Sequence, residues 1–407
     1  MRIATSTIFE NGTRQLGTLQ SDMAKLQTQM ATNKRVNTPS DDPIAAARAL
    51  EVTQSQSINT QLATNRSGAR SALSTENVAL DSVTDLLQSV QDTVTAAGNG
   101  ALSDSDRATM AAKLEGNLSD LIGLANTADG NGNYLFSGYK AGTQPFTATA
   151  AGAQYDGDQG QRQVQVASTR SVPISDSGTA VFENNPTGNG KFQNLASSSN
   201  TGAAIISPGT VTDTSKLTGH DYSVAFKVTG TPAVTTYSVT DKSGTPSTAL
   251  PTDQPYVDGQ AINFDGMSMS VKGVPANGDS FTTKPSQKQS VFATISNLIT
   301  ALRAPASGAP GNAALTNSLN EATGNLGSAL DTVLTTRASV GTRLNELDSL
   351  DTNGTNLNLQ YATTLSDLTG LDLVAAYSAF SQQQLTLTAA QKSFTTMSGL
   401  SLFNYIS

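Results

Sequence analysis

Chemistry on this chain would have to start from few residues. Asp41 and Asp42 stand side by side in N-K-R-V-N-T-P-S-D-D-P-I-A-A, Asn33 to Ala46, and adjacent carboxylates are donors a divalent cation accepts. His220 is the single histidine, which excludes every zinc site built on two imidazoles. A Ser-His-Asp triad would have to use it in T-G-H-D-Y, a turn-to-strand junction without a nucleophile elbow. D-G-N-G-N from Asp129 opens like a calcium loop, but Tyr134 stands where the sixth position needs glycine and Lys140 where the twelfth needs glutamate. D-G-D-Q-G at Asp156 fails the same test. Cysteine is absent, so thiolate nucleophiles, thiolate metal sites and disulfides are excluded. No G-x-x-x-x-G-K-[ST] occurs and no G-x-G-x-x-G follows a strand, so no phosphate cradle is expected. No residue is assigned a catalytic, cofactor or metal role, and the chain is not read as an enzyme.

The aspartate pair has a mechanical reading instead. Pro39 turns Thr38 away from helical geometry and closes a first helix. Asp42 is placed to cap a second helix whose first residue is Pro43, where a missing N–H costs nothing. Asp41 adds negative charge near the positive end of that helix. Pro39, Asp41, Asp42 and Pro43 therefore read as a joint between two helices. Lys34 and Arg35 read as cations matched to a helix end.

The elements on either side have a helical period. Phe9, Leu16, Leu19, Met23, Leu26 and Met30 follow three- and four-residue steps once Gly12 is admitted to the stripe. The period resumes through Leu62, Ala69, Leu73, Leu80, Val83, Leu87, Val90 and Val94, interrupted by Arg66 and Glu76. A-A-G-N-G-A-L-S-D-S-D-R breaks it, with Ser103 or Asp104 available as a cap. After a further helix, D-G-N-G-N reads as a turn and Y-L-F-S-G-Y as a strand. Residues 141–285 are rich in Gly, Thr, Ser and Val and alternate in short runs such as Y-S-V-A-F-K-V, which predicts strands. Helix returns at Ser290. Its long second segment carries Leu326, Leu330, Val333, Val340, Leu344 and Leu347, with Arg337 as the polar exception. Past D-T-N-G-T-N the stripe continues through Leu365, Leu368, Leu373, Tyr377, Phe380, Leu387, Phe394 and Met397.

The fold class expected is multidomain α+β: a long coiled-coil-like helical rod from both termini with an all-β insertion in the middle. Domain boundaries are placed at 1–42 with 362–407 for terminal helices, 43–140 with 286–361 for the rod, and 141–285 for the β-rich part. Aromatics are 5% and charged residues 14% of the chain, so thin cores are expected. A net charge of −8 argues against a nucleic-acid surface. No apolar run is long enough to cross a membrane, and M-R-I-A-T-S-T-I-F-E-N-G has no apolar stretch of the kind a cleavable signal needs. Tyr222, Tyr237 and Tyr256 are candidates for stacking on a sugar, weighed against simple packing between strands.

The opening helix, N-K-R-V-N-T-P-S-D-D-P-I-A-A, D-G-N-G-N-Y-L-F-S-G-Y-K and the C-terminal helix resemble the flagellin superfamily, over about residues 1–146 and 286–407. The S-D-D-P form and the F-N-Y-I-S end resemble the junction subunits between hook and filament more than the filament subunit, which remains the alternative. The β insertion carries no family motif legible in its residues. The resemblance implies terminal helices that line a channel and rod helices around them. It also implies a closed ring of roughly eleven copies, partners in hook-associated protein 1 and flagellin, a cytoplasmic chaperone and type III export to the extracellular flagellum.

Overall fold

The computed structural model describes residues 5–244 and 250–403. The helices are α1 (Thr5–Thr32), α2 (Pro43–Ala97), α3 (Asp104–Ala125), α4 (Val291–Arg303), α5 (Gly308–Thr369) and α6 (Leu373–Phe403). The strands lie between α3 and α4, so the chain is helical toward both termini and strand-rich in its middle. Two compact units emerge, Met1–Thr64 with Ser349–Ser407, and Asn65–Asp348. Their limits fall inside α2 and α5, not at the four composition boundaries. D-T-N-G-T-N does not break α5: Gly354 stays helical and its carbonyl accepts Asn59 Nδ2 at 2.7 Å.

Within Asn65–Asp348 the helical period is realised as a dry seam. Leu73, Leu80, Val83, Leu87 and Val90 of α2 are buried, as are Leu326, Val333, Val340 and Leu347 of α5. Burying each such side chain contributes about 1.5–3 kcal/mol. The two segments run antiparallel, because Arg70 pairs with Asp348 while Arg337 pairs with Asp81. Leu114 and Leu121 of α3 and Ile295 and Leu298 of α4 are buried alongside. Ser103 caps α3 by accepting the Asp106 N–H, and Asp106 returns the bond to the Ser103 N–H at 3.1 Å.

The strands divide into two kinds. β1 (Phe146–Thr149) with β2 (Gly152–Tyr155), and β3 (Gln163–Ala167) with β4 (Arg170–Pro173), are hairpins laid on the helices. Phe146 packs on Phe292 of α4 with centroids 4.9 Å apart, and Arg66 of α2 donates to the Val166 carbonyl at 3.0 Å. A short ladder joins β5 (Asn185–Pro186) to a strand at Lys288–Gln289. The rest forms its own module. β6 (Phe192–Ala196), β7 (Ile205–Ile206), β8 (Thr210–Val211), β9 (Tyr222–Thr229), β10 (Val234–Asp241), β11 (Gln254–Pro255), β12 (Ala261–Phe264), β13 (Met267–Lys272) and β14 (Ser280–Pro285) build two antiparallel sheets. One has the order β11-β10-β9-β14-β6; the other is β12-β13-β7 with β8 also on β13. Phe192, Tyr222, Val224, Phe226, Met269 and Phe281 share the core of this module.

Y-L-F-S-G-Y is not a strand. Tyr134 makes a single bridge to Ala128, and the chain then bends. The Phe136 carbonyl accepts the Gly178 N–H and the Tyr155 hydroxyl, and Gly138 turns at φ 72°. With its backbone groups committed to loops, the segment has none for a ladder.

Candidate assembly interface

The joint begins where α1 ends. Asn33 takes φ 54°, the left-handed geometry of a helix C′ residue, and the Lys34 N–H reaches back to the Gln29 carbonyl at 3.1 Å. Asp41 is the knot of the loop that follows. Its Oδ2 accepts the N–H groups of Asn37 at 3.0 Å and Thr38 at 2.9 Å, and its Oδ1 pairs with Lys25 of α1 at 2.9 Å. Lys25, then the Thr38 and Asn37 N–H groups, hold this carboxyl well below the usual carboxylate range. Asp41 therefore ties the loop to α1, a stronger role than charge near the start of α2. Asp42 caps α2: its Oδ1 accepts the Ala45 N–H at 3.0 Å, with Pro43 as first helical residue. That bond, followed by the Arg35 guanidinium, lowers its pKa.

The expected cation match crosses to another helix. Arg35 does not cap its own helix α1. Its Nη2 donates to the Leu368 carbonyl at 2.8 Å and its backbone N–H to the Thr369 carbonyl at 2.7 Å, so Arg35 closes the C-terminus of α5. Lys34 forms a bridge with Gly370. Asp372 then caps α6 by accepting the Val374 and Ala375 N–H groups at 2.9 and 3.0 Å. The break between α5 and α6 thus lies at Gly370–Asp372, not near residue 361. Beside the joint is an open groove of about 700 Å³, lined by Val36, Pro39, Ala46, Leu50 and Leu365.

α1 and α6 pack together. Phe9 meets Phe394 with ring centroids 5.0 Å apart, and Gly12 leaves the room Phe394 occupies, since a Cβ there would lie 2.7 Å from its ring. Leu16, Leu19, Met23, Leu26 and Met30 are half-buried. On α6 the covered positions run Ala376, Phe380, Gln383, Leu387, Ala390 and Phe394. Leu373 and Met397 continue the spacing of that seam at its two ends but are exposed, and Tyr377 lies off it and is exposed. Val374 and Leu385, 79% and 72% exposed, sit three turns apart on the face opposite the seam. The sequence signal for both is that apolar and polar residues are mixed around α6, where an amphipathic helix separates them into two faces.

The other candidates resolve into structure. Asp129 Oδ1 accepts the Asn131 and Asn133 N–H groups at 2.8 and 2.9 Å, the geometry of a turn. His220 Nδ1 lies 2.7 Å from Asp241 Oδ2. Tyr222 is buried, with its hydroxyl donating to Asp265 at 2.6 Å. Tyr237 and Tyr256 pack against the same core, so the three tyrosines do not form an open stacking platform. Among the described residues no cluster of three or more His, Asp or Glu side chains is placed to hold a metal, and no helix is long and apolar enough to cross a membrane.

Paired terminal helices, a tied and capped joint and a strand-rich insertion define a flagellin-type structural subunit. Residues 3–141 match the bacterial flagellin N-terminal helical region, and residues 195–285 match the D2-like domain of flagellar hook-associated protein 1. The second match corrects the expectation that the insertion carries no family pattern. The chain is 32% identical to flagellar hook-associated protein 3 of Escherichia coli over 99% of both chains. It is 30% identical to the Salmonella typhimurium protein of that name, again over 99% of both. The crystal structure of flagellar hook associated protein-3 from Legionella pneumophila, 33% identical, superposes with a TM-score of 0.74 over 78% of this chain and 98% of the other. The chain belongs to the flagellar hook-associated protein 3 family, structural components of the flagellum.

Proposed function

We propose that copies of this chain form a closed ring of about eleven subunits at the hook–filament junction, joining hook-associated protein 1 on the hook side to flagellin on the filament side. The observation that carries the reading is the bare outer face of α6, where Val374, Tyr377 and Leu385 stand exposed in the single chain. Val374 and Tyr377 form an exposed apolar pair one turn apart, Leu385 stands about two turns further along, and neighbouring copies supply the partner. Phe9, Leu16, Leu19, Met23, Leu26, Met30, Phe380, Leu387 and Phe394 hold α1 and α6 together, and Leu373, Tyr377 and Met397 extend the assembly face. Pro39, Asp41, Asp42 and Pro43 serve as the joint that lets the terminal helices take their own tilt. Before assembly a chaperone covers α6, and type III export delivers the chain to the outside.

Gold-labelled antibody against this chain on isolated hook-basal bodies with filaments tests the placement. A single labelled band beyond the hook is expected. Label along the whole filament would assign the chain to the filament instead.

A further inference from the structure

The α2 seam is interrupted at Glu76, and that side chain is fully buried, at 0% exposure. Its Oε1 accepts the Asp176 N–H at 3.0 Å, from the segment that follows β4. Asp176 is buried as well, and its Oδ1 accepts Arg343 Nη2 of α5 at 3.0 Å and Gln161 Nε2 at 2.8 Å. Three buried polar atoms at this meeting point lack a hydrogen-bond partner: Glu76 Oε2, Asp176 Oδ2 and Arg343 Nη1. Two ionised carboxylates beside one guanidinium would leave a net negative charge in a dry core, which is costly. Like charges at such a site are relieved when one acid keeps its proton.

We propose that Glu76 and Asp176 share one proton, so that Glu76, Asp176 and Arg343 form a neutral lock holding α2, the segment after β4 and α5 together, and that loss of this proton in alkali opens the lock. The orphaned oxygens fit that arrangement, because a proton on Glu76 gives Oε2 a donor to offer and Asp176 Oδ2 is the unpaired acceptor. The charged groups facing Glu76 are Asp176 from the segment and Arg343 from α5. Arg162 stands behind them, its Nε 3.4 Å from the Ser175 hydroxyl. Burial pushes the Glu76 carboxyl up from 4.5 to about 8, with the Asp176 charge adding to it and the Asp176 N–H and Arg343 opposing.

The direction of the pH effect follows. Between the unfolded value and about 8 the native state binds the extra proton, so stability falls as pH rises through that window and levels off above it. The test is urea unfolding of the full chain, followed by near-ultraviolet circular dichroism of its nine tyrosines. For the wild type, the unfolding constant should rise by up to about tenfold per pH unit between about pH 5 and about pH 8. Glu76→Gln places an amide donor against Asp176 at every pH. Its midpoint should therefore lose the Glu76 part of that slope and fall less steeply than the wild type's, the remainder coming from groups such as the buried Glu321. An equal slope in both proteins would overturn the proposal. Should the variant fail to fold, the infrared spectrum of the wild type decides: a protonated-carboxyl band at neutral pH that titrates away in alkali is expected, and its absence contradicts the shared proton.

Discussion

The two units of this chain solve the problem of burial differently. In Asn65–Asp348 the helical seam is dry along its length, from Leu73 to Val94 on α2 and from Leu326 to Leu347 on α5. In Met1–Thr64 with Ser349–Ser407, the buried apolar side chains among the described residues are Val36, Ala45, Ala376 and Leu387. The same unit exposes Ile44, Leu50, Leu359, Val374, Tyr377 and Leu385. Both regions are long helices with apolar stripes, so the stripe alone does not decide stability; it needs a second surface. One unit carries that surface in its own chain; in the other, on the function proposed above, neighbours supply it.

Several changes would break or sharpen this contrast. Leu80→Ala removes a fully buried side chain from the dry seam and should lower the stability of Asn65–Asp348 by about 2–5 kcal/mol in urea unfolding. The same truncation at Leu387, in the thin terminal pair, should cost less in the single chain; equal losses would erase the distinction. Gly12→Leu drives a side chain into the Phe394 ring and should raise amide exchange in α1 and α6 by an opening free energy of about 1–3 kcal/mol, leaving α2 near Leu80 unchanged.

Acid should loosen the terminal joint. Asp41 and Asp42 have folded pKa values below their ordinary one, so the stability they give is present above the unfolded value and is lost as pH falls below it. Amides of Asn37, Thr38 and Ala45 should lose protection on acidification below about pH 4. The Glu76 lock responds in the opposite direction, weakening as pH rises. Val374→Ser and Leu385→Ser should change the stability of the single chain by no more than about 0.5 kcal/mol, yet reduce incorporation into flagella, read as the fraction of hooks bearing filaments.

Local rules were legible where the interaction is local. The Asp42 cap, the Asp129 turn and the Ser103 cap each depend on residues within four positions. What could not be read depends on distant partners. On α6 the seam uses Ala376, Gln383 and Ala390, while Tyr377 lies off it and Leu373, at its end, is left exposed. A stripe drawn from the largest apolar residues mixes covered and exposed positions when apolar residues are spread around the helix. Glu76, Arg66 and Arg337 interrupt the heptad, and that is the signal for polar partners across the seam. Their identities, Asp176, the Val166 carbonyl and Asp81, come from loops and helices far along the chain. Arg35 was legible as a helix-end cation, but the end it closes belongs to α5, more than three hundred residues away.

Native-state amide hydrogen exchange on the full chain, free and assembled, tests the central claim most directly. In the free chain, amides of α1 and α6 should exchange through openings far less costly than those exposing Leu80 to Val94, and assembly should raise α1 and α6 to comparable protection. Terminal helices as protected as the α2 seam in the free chain, or unchanged by assembly, would contradict the account.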